Sequence, residues 1–259
     1  MKYLMLNSRR FWYPYMHAST TLNNCDSCEG CKYNCCINSN NCGASNIFNG
    51  LTRDELRSIM DNKRQIKFRA GETITKQNTP LTHLICIKSG LAKVVSEGPK
   101  GKNLIIDIIK DNNIFTGGGT VIDDTHHFTV AAITDIECCF IETSKIFTFL
   151  SVNSTFAIEL MKLYNGQHIK MHKTLINLIH KYMPGRVADT LLFLKNEIYD
   201  SNPYQFILTK QELADMSGMT KESFIRNLKD FEDSGIINHS RNSIHILKEE
   251  DLIEISRNG

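Results

Sequence analysis

The sequence predicts an α+β protein in three successive parts: short strands forming a sandwich or roll, a long helix with an apolar seam, and a C-terminal winged helix-turn-helix. Three observations predict it. Short alternating segments punctuated by glycine recur between residues 65 and 141, apolar residues step by three and four from Leu160 to Tyr182, and two short capped helices fill residues 208–235.

A chain of 259 residues has room for two modest domains and a connector, and its 41% hydrophobic content can bury their cores without disulfides. No run approaches membrane-span length. The opening MKYLMLNSRRFWYPYMHAST fits neither a signal peptide nor a membrane helix, so a cytoplasmic protein without a membrane partner is expected.

Six of the nine cysteines fall between residues 25 and 42: Cys25, Cys28, Cys31, Cys35, Cys36 and Cys42. In a cytoplasmic setting such crowding points to metal. The spacing Cys25-x2-Cys28-x2-Cys31-x3-Cys35 is that of a bacterial ferredoxin run, whose thiolates wrap a four-iron four-sulfur cluster, although Cys36 stands where such runs place proline. A zinc site and a metal-free thiol cluster are the alternatives.

The middle of the chain carries alternating segments such as His83-Leu84-Ile85-Cys86-Ile87 and Leu91-Ala92-Lys93-Val94-Val95, separated by Gly71, Gly90, Gly98 and Gly101. Phe115-Thr116-Gly117-Gly118-Gly119-Thr120 lacks the Gly-Lys-Ser/Thr ending of a phosphate loop and reads as a turn. His126-His127 offers haem or metal ligands, against the plainer reading of a polar loop. Leu160, Tyr164, His168, Met171, Leu175, Leu178 and Tyr182 then form a seam that needs a partner, either a second copy or the chain's own roll. Pro184-Gly185 is expected to end that helix and mark a hinge.

In the last part Thr209 and Glu212 have capping-box spacing, Ser217-Gly218 breaks the run and Thr220 caps a second helix. Phe224, Leu228 and Phe231 face inward, leaving Lys221, Glu222, Ile225 and Arg226 outward. Glu222 and Arg226 lie one turn apart, so in a major groove a carboxylate can accept from cytosine N4 while a guanidinium forks onto a neighbouring guanine. A solvated i, i+4 ion pair is the competing reading. Ile236-Ile237, the turn Ser240-Arg241-Asn242-Ser243 and Ile244-His245-Ile246 read as the wing. From Pro184 onward nine Lys and Arg face thirteen Asp and Glu, so phosphate contacts must come locally from Lys210, Lys221, Arg226 and Arg241.

At these residues the chain resembles the Crp/Fnr family of bacterial transcription regulators, through LTKQELADMSGMTKESFIRNLKDFEDSGII and its T-x-E-x-x-x-R core at Thr220, Glu222 and Arg226. The resemblance implies a cyclic-nucleotide-binding-like β-roll, a dimerisation helix and a winged helix-turn-helix. The parts are then an N-terminal extension with the cysteine cluster (1–45), the sensory roll (46–150), the dimerisation helix (151–183) and the DNA-binding domain (184–259). It implies a homodimer through residues 154–182, a palindromic double-stranded operator, RNA polymerase as a further partner, and no enzymatic activity. Ile225 stands where relatives usually have a small residue, which leaves the half-site sequence open. Fnr-type members hold an oxygen-labile iron-sulfur cluster with three N-terminal cysteines and one from the roll; by similarity that last ligand is Cys139, its partners drawn from Cys25, Cys28, Cys31 and Cys35 or Cys36, whose third spacing departs from that of Fnr. Cys138 would alternate to the opposite strand face. Cyclic-AMP-binding relatives use a glutamate and an arginine, whereas residues 115–120 hold no acid and residues 126–132 no arginine, which argues against cyclic AMP. The expectation is therefore a DNA-binding regulator sensing oxygen, nitric oxide or redox state. The alternatives are a haem or another small ligand in the roll, and a ferredoxin-like redox protein.

Overall fold

The computed structural model describes residues 46–60, 63–111 and 113–259; Cys25, Cys28, Cys31, Cys35, Cys36 and Cys42 lie outside the described residues. After a 3-10 turn at Asn46–Gly50 and helix α1 (Arg53–Met60), two antiparallel sheets build the roll. One runs in the order β1 (Arg64–Phe68), β8 (Ile136–Glu142), β3 (His83–Ser89), β6 (Ile114–Phe115). The other runs β2 (Thr73–Thr75), β7 (Thr129–Ala132), β4 (Ala92–Glu97), β5 (Asn103–Ile109).

Strand alternation decides what each face meets. Ile85, Ile87, Ile136 and Cys138 point between the sheets onto Ala92, Val94, Val130 and Ala132. Leu84, Cys86, Cys139 and Ile141 point the other way, onto Ile47, Ile146, Phe149, Phe156 and Leu160. The central strands are therefore buried on both faces, which is why β3 reads as an unbroken apolar run. Each such Ile or Leu contributes about 1.5–3 kcal/mol by leaving water. Between β3 and β4 the chain turns at Gly90, whose φ of +94° and closeness to the Asp135 carbonyl, 2.5 Å from where a Cβ would sit, exclude a side chain.

The outer helices are α2 (Thr143–Val152) and α3 (Ser154–His180). Asn153 caps α3 by accepting from the Phe156 amide at 3.0 Å, and its own amide donates to the Gly50 carbonyl. The face of α3 turned to the chain itself carries Phe156, Leu160, Leu163 and Tyr164. Gln167 donates to the Ile114 carbonyl and Lys170 pairs with Asp107.

The expected seam is corrected in phase. Leu160 and Tyr164 are turned onto the roll, and Leu178 sits against Gly218. Leu175 and Tyr182 of the expected seam are exposed, and the apolar stripe they join runs through Ile158, Met161 and Ile179, each of the five more than half exposed. The helix carries apolar residues on two opposite faces, and only one can lie on its own roll.

A second correction concerns Pro184. The helix ends at His180; Lys181 and Tyr182 are extended, and Met183 and Pro184 open the next helix, α4 (Met183–Phe193). In a continuous helix the Pro184 ring would collide with the His180 carbonyl, whereas in a first helical turn its missing N–H costs nothing. Lys181 bridges the break, its ammonium 2.8 Å from both carboxyl oxygens of Asp189.

After α4 come a π-helical turn (Leu194–Tyr199), β9 (Tyr204–Gln205), α5 (Lys210–Met216), α6 (Lys221–Asp233), β10 (Ile237–His239), β11 (Ser243–Ile246) and α7 (Glu249–Asn258). Val187, Leu191, Leu213, Phe224, Leu228, Ile244 and Leu252 are fully buried at their common centre. The expected wing gains a third strand, β9 pairing with β11, because Tyr204 is drawn into this core and its hydroxyl donates to the Leu191 carbonyl. Ile108 and Ile133 of the roll join the same cluster, so the roll docks on α5.

Candidate nucleic-acid interface

The reader is built from its caps outward. The Thr209 hydroxyl accepts from the Glu212 amide while the Glu212 carboxylate accepts from the Thr209 amide at 2.7 Å, a complete capping box at the start of α5. Gly218, at φ +59°, makes the turn; Arg186 donates to its carbonyl at 3.0 Å, and the Thr190 and Ser217 hydroxyls meet beneath it at 2.8 Å. Thr220 then caps α6 by accepting from the Ser223 amide. Gly235, at φ +65°, lets the chain leave after α6, the Ile236 amide bonding back to the Phe231 carbonyl.

Phe224, Leu228 and Phe231 lock the underside of α6 into the core, which fixes the roll angle of the helix. As a result Lys221, Glu222, Ile225 and Arg226 stand together on its exposed face near the N-terminus. Arg241 is exposed at the tip of the wing, in a turn closed by the Ser240 amide on the Ser243 carbonyl. Backbone N–H groups, a carboxylate and a guanidinium one turn apart, and a projecting wing arginine are what a major groove with flanking phosphates requires.

Lys210 departs from expectation. Its ammonium lies over the Phe206 ring, 4.6 Å from the centroid, without a hydrogen-bond partner, and burial holds its pKa below the usual lysine value. The aromatic face beside the start of α5 captures the cation, so in this conformation it is not presented to phosphate.

Glu212 has a second role that sequence spacing did not reveal. Its carboxylate also pairs with Lys93 of β4, joining the first helix of the reader to the roll. Burial works to raise this carboxyl, but the Lys93 and Thr209 contacts outweigh it and hold the pKa below the usual range. Lys110 adds a bond to the Glu197 carbonyl at 2.9 Å.

In the roll, the connection between β6 and β7 turns through Gly117 and Gly118, at φ +77° and +90°. The Thr120 hydroxyl donates to the Thr116 carbonyl, and Thr116 donates to Gln167 of α3 at 3.2 Å. His126 is buried with its Nδ1 atom unpartnered, and burial lowers its pKa. Among the described residues no three His, Cys, Asp or Glu side chains converge to hold a metal. Cys139 is buried on the helix-covered face of β8, directly across from Cys86. Cys138 is on the opposite face, where burial pushes its thiol up to about 12.

Two family profiles match this architecture, a "Cyclic nucleotide-binding domain" over residues 65–153 and a "Crp-like helix-turn-helix domain" over residues 185–255. The chain belongs to the Crp/Fnr family. Relatives of this Crp/Fnr-type DNA-binding transcription regulator include the "CRP-like cAMP-activated global transcriptional regulator" of Mycobacterium tuberculosis, 23% identical over 82% of this chain and 96% of the relative. The "Anaerobic regulatory protein" of Bacillus subtilis is 25% identical over 77% of this chain and 85% of its own. A Crp/Fnr-family transcriptional regulator from Eubacterium rectale shares the fold with a TM-score of 0.71, 21% identity and coverage of 82% and 98%. FixK2 of Bradyrhizobium japonicum does so with a TM-score of 0.67, 18% identity and coverage of 74% and 96%. Crp-like helix-turn-helix regulators bind DNA and act as dimers. No helix among the described residues is long and apolar enough to cross a membrane.

Proposed function

We propose that the protein is a cytoplasmic homodimeric regulator that reads a palindromic operator through α6 and senses oxygen, nitric oxide or redox state at a cluster held by Cys139 and the N-terminal cysteine run. The observation that carries the sensing half of this reading is the place of Cys139. It shares one buried cluster with Ile47, five residues after Cys42 in the sequence, and with Phe156 and Leu160 at the start of α3. A thiolate there lies beside the start of the helix proposed to pair two copies. The donor chemistry fits a four-iron four-sulfur group, with Cys25, Cys28, Cys31 and Cys35 as the remaining candidates from the run. When bound, the group supplies reactivity toward oxidants. Ligated to such a group, Cys139 would tie the run to the sheet, and release of that tie would loosen Ile47 and the packing beneath α3.

Operator contact is assigned to Glu222 and Arg226 for bases, with Ile225 between them, and to Lys221 and Arg241 for phosphate. Cyclic AMP is disfavoured as the effector. No arginine occurs between residues 70 and 185, so the strands from β2 to β8 and the connection between β6 and β7 bring no guanidinium to a phosphate. The division into residues 1–45, 46–150, 151–183 and 184–259 serves as extension, sensor, pairing helix and reader, with RNA polymerase as the downstream partner and no catalytic role.

The test is anaerobic purification of the full chain with iron and acid-labile sulfide assayed per chain, beside Cys139→Ala. About four irons and four sulfides that bleach in air are expected, with a clear loss in the variant. Equal iron content and equal anaerobic DNA affinity in Cys139→Ala would sink the assignment. Zinc without sulfide would move the signal to the roll.

A further inference from the structure

The exposed side of α3 has an order of its own. Ile158, Met161, Asn165, His168, His172, Leu175, Ile179 and Tyr182 alternate by three and four, and every one is exposed. Two heptad positions thus repeat along the helix: Ile158, Asn165, His172 and Ile179 at one, Met161, His168 and Leu175 at the other, with Tyr182 just past its end. Such a seam closes against a second copy, and its single asparagine favours one register and two strands. The two histidines occupy adjacent layers of that seam. Their rings lie 5.5 Å apart, edge to face, on a groove they share with Ile169, Lys173 and Ile176.

We propose that His168 and His172 of two paired copies form a site for a divalent first-row transition metal on the dimer axis. The inference rests on α3 being the pairing helix. Histidines four residues apart on one helix face can turn their imidazoles onto one cation. Among the described residues of one chain, no third His, Cys, Asp or Glu joins these two ligands. A two-fold axis through the seam supplies the other two and completes an imidazole set of four, which suits zinc, cobalt, nickel or copper. Buried in a pairing seam without a cation, four imidazoles would leave polar nitrogens unsatisfied between flanking apolar layers. The metal removes that cost and binds only the paired state, so it tightens the dimer by mass action.

Cobalt(II) is the probe, titrated anaerobically into the full chain, into His168→Ala/His172→Ala and into Ile179→Glu, with the visible spectrum and bound metal read beside sedimentation velocity. Thiolate-bound cobalt in the cysteine run is identified by its sulfur charge-transfer absorption and is common to all three proteins. The expected result is one further cobalt per two chains in the unmodified protein, in a tetrahedral nitrogen environment. It should be absent from the double variant and from Ile179→Glu, which keeps both histidines but breaks the pair. Zinc should tighten the dimer by about tenfold in the unmodified protein and leave the double variant unchanged. A dimer whose metal content is the same with and without the two histidines overturns the site while leaving the pairing helix intact. An unmodified protein that stays monomeric with and without metal overturns both. His168→Asn/His172→Asn, with both side chains solvent-exposed in one copy, repeats the comparison with a folded polar pair and must also lose the further cobalt.

Discussion

Replacing Glu212 separates two jobs that one carboxylate performs. Glu212→Ala removes the backbone bond to Thr209 and the pairing with Lys93, whose side chain is only 22% exposed. A hydrogen bond to a charged group contributes about 1.5–3 kcal/mol, and the stranded half-buried ammonium adds to the loss, so about 2–3 kcal/mol is expected. Lys93→Ala leaves the capping box intact and should cost about 1 kcal/mol, and the double variant should be no worse than Glu212→Ala, a coupling of about 1 kcal/mol. Glu212→Gln keeps the cap, since glutamine also closes a capping box, and should resemble Lys93→Ala. Urea unfolding of the four proteins at pH 7 reads these values. Because the carboxyl is held below its ordinary value of 4.5, the coupling is complete above that pH and fades as the pH falls through the folded-state value. Losses that add to within about 0.3 kcal/mol would refute the pairing across the roll and the reader.

Three other outcomes are expected. Arg226→Ala should weaken operator binding by about 1–3 kcal/mol and relax discrimination at one base pair, read by gel shift against single-base operator variants, while Arg241→Ala should weaken all sequences alike. Gly218→Ala should destabilise by about 1–3 kcal/mol in a thermal melt, since its φ is +59° and a Cβ would fall 2.4 Å from the Leu178 side chain; a neutral substitution would mean that Leu178 does not rest on the turn. His126, buried and with a lowered pKa, is neutral in the fold, so the unfolded chain takes up more protons below 6.5 and stability should decline as pH drops through that value. His126→Leu should flatten that slope between pH 5.5 and 7, and an unchanged slope would assign it to another group.

What spacing alone revealed here was local. Thr209 with Glu212, and Phe224 with Leu228 and Phe231, are legible because cap and core contacts on a helix fall within one or two turns. The two faces of β8, which send Cys138 and Cys139 to opposite sides, follow from strand alternation. The phase of the α3 seam did not, because Leu160, Tyr164 and Leu178 are as apolar as Ile158, Leu175 and Ile179 and only the roll decides which set is covered. Lys93 and Glu212 lie 119 residues apart, Arg186 reaches Gly218 across 32, and Lys210 is drawn to Phe206 by a ring whose orientation the core sets. Such contacts carry no periodicity to read. Nor did short Tyr204-Gln205 look like a strand until Ile244 and Ser243 lay beside it.

The break at Lys181 and Tyr182 makes α3 a crank rather than a tether. Two extended residues, with Lys181 clasped by Asp189, leave little slack, so the reading half turns only as the shaft turns. A shaft of 27 residues is about 40 Å long, and sliding its far end by 1 Å rotates it by only about 1.4°. Tilting alone therefore transmits little from the Cys139 end to the DNA end. Under the proposed function, a signal entering there would act far more strongly by making or breaking the union of two shafts than by leaning on one.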